Sequence, residues 1–255
     1  MRKNEATITE RTNEYEKIVS NVCGPDYSEH LLVDDLVVCD CAEGDCTLAN
    51  GCECVASGSG LDNYTESGSL LHEGALIECG NWCECVKSGR CPNRVVGNGS
   101  KPGLIRLTEN VADLGVIAEE TIPANSFVIE YIGEVIGEKE ARNRERQHKG
   151  AEHHYIFTVL EVIQGKESLT FIDPRKLGNI ARFINHSCDP NLKVVIVRRG
   201  CLSPSAALFA SRDIMKGEQL SFDYGWSAKS GFSTKDCLCG AKNCRGKLPS
   251  KDVSC

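Results

Sequence analysis

Hydrophobic and polar positions divide this chain near Gly103. Downstream, short runs of β-branched and aromatic residues alternate with Gly, Pro and Asp, the pattern of strands bounded by turns. Phe127 to Ile136 (FVIEYIGEVI) predicts a strand that bends at Gly133. His154 to Ile163, Leu169 to Asp173, Leu192 to Val197, Ala206 to Ala210 and Gln219 to Asp223 are further predicted strands. Between them, Gly137 to His148 (GEKEARNRERQH) is helix-forming, with most of its charges expected on a solvated face. Long amphipathic helices are scarce and no repeat of 20–50 residues is expected, so the pattern predicts a mainly β domain of several small sheets.

Upstream the pattern is different. Residues 37–91 show little periodicity, and the stretch 55–78 (VASGSGLDNYTESGSLLHEGALIE) reads as a Gly/Ser-rich loop. A segment this poor in apolar residues cannot close around a hydrophobic core and needs another staple. Residues 1–36 read as a short flank. Within it Asn13 to Ser20 (NEYEKIVS) predicts a turn or two of helix, the alternative being a partly ordered terminus.

At 255 residues the chain has room for one or two domains with a real core. No apolar run approaches the ~18 residues of a membrane-crossing helix. The first residues, MRKNEATITERTNEYEK, lack the apolar stretch of a secretory signal, so no membrane association and a reducing, intracellular setting are expected. In that setting the sixteen cysteines read as metal ligands rather than disulfides. The net charge of −7 resides entirely in residues 37–91, which hold nine acids against two bases. With 27 bases balancing 27 acids elsewhere, no basic face is expected. Direct nucleic-acid binding is thereby disfavoured, and a basic partner suits the acidic segment.

The cysteine spacing is informative. Cys39-x-Cys41-x4-Cys46-x5-Cys52-x-Cys54 faces Cys79-x3-Cys83-x-Cys85-x5-Cys91 across a 24-residue gap. Ligands this close suit a polynuclear thiolate cluster. Three tetrahedral zinc ions need twelve ligand positions, and nine thiolates fill them when three bridge two metals each. Lys87, Arg90 and backbone N–H groups are expected as donors to the sulfurs. A disulfide-bonded loop region is the alternative, opposed by the odd count. No Gly-x-Gly-x-x-Gly follows a strand and opens a helix, so a Rossmann cofactor site has no support.

This array resembles the pre-SET region of SET-domain protein lysine methyltransferases. The resemblance continues, in the family's order, through Tyr131 to Val135 (YIGEV), Arg182 to Asn191 (RFINHSCDPN), Gly217 to Trp226 (GEQLSFDYGW) and the post-SET-like Cys237-x-Cys239-x4-Cys244. It is closest to the histone H3 lysine-9 class, and also covers the SET half of a SET–transposase fusion protein, for which lysine-36 has been proposed. It implies a SET-domain β-fold with a pseudoknot-like C-terminal segment. The implied organisation is an N-terminal flank over 1–36, a pre-SET zinc-cluster region over 37–100, a SET domain over 103–225 and a post-SET zinc motif over 233–249. The three post-SET cysteines are one short of a tetrahedral site, and Cys188 supplies the fourth. Cys23, Cys201 and Cys255 then remain as free thiols.

The resemblance implies S-adenosylmethionine and four zinc ions as cofactors, three in the pre-SET cluster and one in the post-SET site. Asn185, His186 and Arg182 would contact the methyl donor. Tyr155 would contact it and line a lysine channel, Tyr224 would be the catalytic tyrosine, and Asp223 would support the fold. Phe222 stands where the family carries a Phe/Tyr switch, and a phenylalanine there implies di- or trimethylation. The family's Gly-Trp-Gly-like cofactor turn is matched by Ala112-Asp113-Leu114-Gly115-Val116, with Asp113 in place of a glycine and Leu114 in place of an aromatic. The implied partners are the histone H3 tail and chromatin, in the nucleus on the chromosome. Lysine-36, a non-histone lysine, or a catalytically weak SET protein serving as a chromatin-binding module are the alternatives, the last resting on Asp113-Leu114.

Overall fold

The computed structural model describes residues 15–28, 31, 37–42, 44–109, 114–147, 155–163, 165–225 and 231–250. Among these residues, short strands follow in chain order: β1 (Glu16–Lys17), β2 (Val22–Cys23), β3 (Leu76–Glu78), β4 (Ile105–Glu109), β5 (Leu114–Ala118), β6 (Phe127–Tyr131), β7 (Glu134–Ile136), β8 (Phe157–Ile163), β9 (Lys166–Asp173), β10 (Leu177–Gly178), β11 (Asn185–His186), β12 (Leu192–Arg199), β13 (Ser205–Ala210), β14 (Ser221–Phe222), β15 (Gly231–Asp236) and β16 (Lys247–Ser250). Among the described residues the helices are α1 (Glu53–Ala56), α2 (Glu84–Lys87) and α3 (Glu138–Gln147), with a 3-10 turn at Ile180–Phe183. The fold is mainly β, in several small sheets, as the strand pattern predicts.

Two four-stranded sheets form the frame, in the orders β3-β12-β13-β6 and β2-β7-β9-β8. β13 (SAALFA) is buried along its whole length between β12 and β6, which explains its small residues. The bend expected at Gly133 separates β6 from β7. A Cβ there would lie 2.6 Å from the Asp173 backbone, so only glycine permits the approach. The main core gathers Val116, Val128, Ile129, Phe157, Ile172, Ile184, Leu208, Leu220 and Phe222.

Asn13 to Ser20 gives no helix among its described residues. β1 and β2 instead add in parallel to β10 and β7, and Tyr15 enters the main core. The open edges of β10 and β7 take up this segment's backbone groups in place of a helix. The stretch 55–78 is not loop throughout, since it closes in β3, which pairs in parallel with β12. Of Gln219 to Asp223 only Ser221–Phe222 is a strand, paired in parallel with β11, while Gln219 forms one bridge to Ile117. The helix α3 matches its expectation, but Arg144 is not solvated. It reaches Glu134 (2.9 Å), Glu140 (2.7 Å) and the fully buried Asp173 (2.8 Å), fixing α3 to the sheet.

Candidate active site and metal centres

The cysteine-rich region folds around its own thiols. Cys39, Cys46, Cys52, Cys54, Cys79, Cys83 and Cys85 are buried, Cys41 and Cys91 partly so, and no disulfide forms among the described residues. Sulfur pairs lie at van der Waals distance: Cys39–Cys79 3.7 Å, Cys39–Cys85 3.8 Å and Cys54–Cys83 3.6 Å. Three overlapping tetrads have all their sulfurs within 4.8 Å of one another. They are Cys39/Cys41/Cys46/Cys52, Cys39/Cys52/Cys54/Cys79 and Cys39/Cys46/Cys79/Cys85. Tetrads that share members are what bridging thiolates require, so the donor set fits zinc.

Two equivalent turns present the central ligands. Cys52-Glu53-Cys54-Val55-Ala56-Ser57-Gly58 and Cys83-Glu84-Cys85-Val86-Lys87-Ser88-Gly89 each begin a one-turn helix after the first cysteine and close on a serine with φ −74° and ψ −13°. This short repeat, at a spacing of 31 residues, is legible in the sequence and contradicts the expectation of none. The expected donor Lys87 pairs with Glu84 instead. Sulfur is addressed by the Cys39 N–H (3.4 Å to Cys83 Sγ) and by the buried amide of Asn93 (3.6 Å to Cys79 Sγ). Asn63 donates to Asn93 and aligns it. Hydrogen bonds from Cys52, Cys54 and Cys91 hold the Cys79 thiol far below the usual range against the opposing effect of burial.

A second tetrad, Cys188, Cys237, Cys239 and Cys244, also lies within 4.8 Å and includes the cysteine of Asn185-His186-Ser187-Cys188. Backbone N–H groups of Cys188, Arg245 and Gly246 point at Cys239, Cys188 and Cys244 Sγ (3.5, 3.4 and 3.4 Å). Burial raises the Cys239 thiol, but the N–H groups of Cys188 and Ala241 and the neighbouring thiols outweigh it and bring it down to about 6. Cys237, with burial and its thiol neighbours acting together, is pushed up to about 12. Cys23 and Cys201 stand apart from both tetrads, bonded to nearby carbonyls, and Cys255 lies outside the described residues.

Beside this second tetrad the short β11–β14 pair sets Asn185 opposite Ser221 and His186 opposite Phe222. Asn191, nearly fully buried, braces the pair. Its amide donates to Gln219 O (2.9 Å) and its oxygen accepts from Ser221 N–H (2.9 Å). Asn185 donates to Leu114 O at 3.0 Å, joining β11 to β5. A Cβ on Gly115 would lie 2.8 Å from Gln219 Nε2 and 3.4 Å from Asn185 Nδ2, so the glycine leaves room for these two side-chain amides. His186 Nδ1 accepts the Tyr224 N–H at 3.1 Å, which leaves the ring proton on Nε2, 3.4 Å from Cys188 Sγ. The Tyr224 hydroxyl donates to Ile184 O at 2.9 Å.

Aromatic rings line the same place. Phe222 is buried, with its ring centroid 4.9 Å from Tyr224, 6.0 Å from Phe157 and 6.3 Å from Tyr131. Tyr131 is wholly buried, and desolvation pushes its phenol well above the ordinary value. It donates to Tyr155 O at 2.6 Å, and the Tyr155 ring lies under the Arg182 guanidinium. The described residues among those singled out, Leu114, Tyr155, Arg182, Asn185, His186, Phe222 and Tyr224, thus form one connected site. Ala112 and Asp113 lie outside the described residues. Asp223 accepts from Gly225 N–H (2.9 Å) and from Arg245 (2.6 Å), a supporting placement. Sequence reasoning did not assign Tyr15, Tyr131, Phe157, Asn93 or Asn191. Of these only Tyr131 and Asn191 fall inside recognised motifs.

The burial of polar groups beside this site fits a polar ligand. Arg182 Nε and Tyr15 Oη are both buried with no hydrogen-bond partner among the described residues.

Residues 113–225 match the SET domain and residues 3–94 the Pre-SET motif. A probable histone-lysine N-methyltransferase, set-23 of Caenorhabditis briggsae, is 44% identical over 92% of this chain and 96% of its own length. The crystal structure of the methyltransferase domain of human histone-lysine N-methyltransferase SETMAR superposes with a TM-score of 0.80 at 29% identity, covering 98% of this chain and 93% of that one. KRYPTONITE, solved with mCHH DNA, an H3(1–15) peptide and SAH, gives a TM-score of 0.71 at 28% identity over 95% of this chain and 49% of its own.

Proposed function

This chain belongs to the SET-domain histone-lysine N-methyltransferases, and on that premise we propose that it methylates lysine-9 of histone H3, to the di- or trimethylated state. The observation that carries the reading is the aromatic cluster of Phe222, Tyr131, Phe157 and Tyr224, next to the hydrogen-bonded Asn185-His186 pair. S-adenosylmethionine, when bound, supplies a methyl group made electrophilic by its sulfonium.

Arg182, Asn185, His186, Tyr155 and the backbone at Leu114 hold that donor, with Ala112 and Asp113 assigned by resemblance alone. Tyr155, Phe222 and Tyr224 form the channel for the lysine side chain. Its apolar walls disfavour the ammonium form, so the amine enters ready to react. Tyr224, fixed through Ile184 O and His186 Nδ1, aligns the amine for in-line displacement, and alignment is the main demand of such a reaction. Phe222 brings no hydroxyl to the channel, so a methylated amine can turn for a second transfer.

Nine cysteines (Cys39 to Cys91) hold three zinc ions, and Cys188, Cys237, Cys239 and Cys244 hold one. The acidic 37–91 segment suits a basic histone tail. The H3(1–15) peptide held by a structural neighbour supports a target near the H3 N-terminus, which lysine-36 is not. This activity places the protein at chromatin in the nucleus.

The test is labelled-methyl transfer to H3 tails carrying single blocked lysines, with Tyr224→Phe as control. Label lost only when lysine-9 is blocked, and lost in the control, is the expected result. Label that follows lysine-36 or another protein moves the target. No transfer by folded, zinc-loaded protein assigns the chain to the non-catalytic reading.

A further inference from the structure

Arg245 follows the last cysteine of the C-terminal tetrad, and its two ends face different structures. Its backbone N–H donates to Cys188 Sγ at 3.4 Å. Its guanidinium donates to Asp223 Oδ1 at 2.6 Å, and the same nitrogen lies 3.5 Å from His186 Nε2. Asp223 sits between Phe222 and Tyr224, and its Oδ1 also accepts from the Gly225 N–H at 2.9 Å. Asn243, from the same turn, donates to Cys188 O at 3.1 Å. One residue therefore touches a metal ligand through its main chain and the segment carrying Tyr224 through its side chain.

We propose that Arg245 is a positioning residue for methyl transfer: its ion pair with Asp223 latches the metal-bound tail onto the Phe222–Tyr224 segment, so that the site is assembled only when the tail is folded on its metal. The inference rests on the reading of the Tyr224 site given above. The pair is only partly exposed, 33% for Arg245 and 27% for Asp223, and it shares its acceptor oxygen with a backbone N–H. Arg245 itself stands at the surface, and it is the shared acceptor oxygen beside Tyr224 that ties the pair to the site. The guanidinium also sits at the rim of the β11–β14 pair, where loss of the tail would leave His186 and Asp223 open to water. The tail thus acts on the reaction through geometry, by holding Asp223, and Arg245 itself touches no reacting atom.

The test uses the full chain with zinc, as wild type, Arg245→Met, Arg245→Lys, Asp223→Asn and the double variant R245M/D223N. Zinc content is read by mass spectrometry, affinity for S-adenosylhomocysteine by calorimetry, and methyl transfer by kcat and KM. The expected result for R245M is wild-type zinc content with S-adenosylhomocysteine affinity and kcat/KM each lowered about tenfold, the scale of one charge-assisted pair. R245K recovers most of the loss, because it keeps the charge. The double variant is no worse than the poorer single variant, the signature of two residues acting as one unit. Unchanged affinity in R245M, losses that multiply in the double variant, or zinc loss in R245M each overturn the latch. A wild-type chain that binds S-adenosylhomocysteine yet methylates no lysine counts against the reading of function, whereas the binding response to R245M judges the latch separately.

Discussion

The guanidinium carbon of Arg182 lies 4.2 Å from the centroid of the Tyr155 ring, with Tyr15 at 4.7 Å and Phe183 at 5.1 Å. The charge is held by ring faces and by Arg175 O at 3.2 Å. A planar cation suits such a stack, and an ammonium does not. Arg182→Lys should cost about 1–2 kcal/mol in urea denaturation, the scale of a desolvated cation–π contact. Tyr15→Phe should leave stability unchanged or raise it slightly, since it removes a buried hydroxyl that lacks a partner among the described residues. A fall in S-adenosylhomocysteine affinity in the same variant would mark that hydroxyl as a ligand to the donor.

Phe222 should set how far methylation proceeds. Its ring is closed in by Tyr131, Phe157 and Tyr224, so a hydroxyl added by Phe222→Tyr must enter the channel or hold a water there. Mass spectra of the product over time should shift from di- and trimethyl toward monomethyl lysine, with the first transfer slowed less than about tenfold. An unchanged product ratio would make Phe222 a packing residue.

Asp173 should govern acid stability. Burial alone would raise its carboxyl, but hydrogen bonds from Arg175 and Arg144 outweigh this and hold it below the ordinary value. A carboxylate depressed on folding stabilises fully above its unfolded pKa, near ~4, and loses that contribution as pH falls through its folded value. Asp173→Asn should therefore cost roughly 3 kcal/mol at neutral pH and flatten the acid limb of the stability profile. Urea midpoints from pH 7 downward read both effects, and parallel acid limbs would remove Asp173 from the account.

Metal removal should proceed in two phases. The C-terminal tetrad is partly exposed, whereas seven of the nine upstream cysteines are buried. A chelator with reductant should take one zinc quickly and three slowly, and S-adenosylhomocysteine binding should vanish in the fast phase. Simultaneous release of all four would deny any distinction between the centres.

What was legible in the sequence is what local spacing encodes. The Cys-x-Cys pairs, the Asn-His-Ser-Cys run and Ser221 to Tyr224 each bring their chemistry within a few residues; the structure gathers the upstream pairs into one thiol cluster and, separately, sets the Asn-His-Ser-Cys run beside Ser221 to Tyr224. The bend at Gly133 and the helix over Glu138–Gln147 are local in the same sense. Tyr15 is different. It stacks on Arg182 from far upstream, and nothing in NEYEKIVS marks that tyrosine for a core. Asn93 and Asn191 bond Cys79 Sγ and Gln219 O from elsewhere in the chain, partners that local spacing does not reveal. Phe157 looked like any strand aromatic. Its place beside Phe222 depends on how two separate sheets meet. The repeated Cys-Glu-Cys-Val turn is present in the letters, but at seven residues it is too short to stand out as a repeat.

The parallel ladder between β3 and β12, Leu76 with Val197 and Glu78 with Arg199, has a bearing on how such a chain can be cut or shuffled. Glu78 is fully buried there, bonded by Tyr64 and by the backbone of Val96 and Gly97, one residue before Cys79 of the thiol cluster. A fragment starting after the cysteines would present β12 as a bare edge, with Arg199 stripped of a neighbouring carboxylate, and bare edges invite aggregation. The catalytic half is thus not a portable module, and recombination that moves it must carry the metal-binding half along.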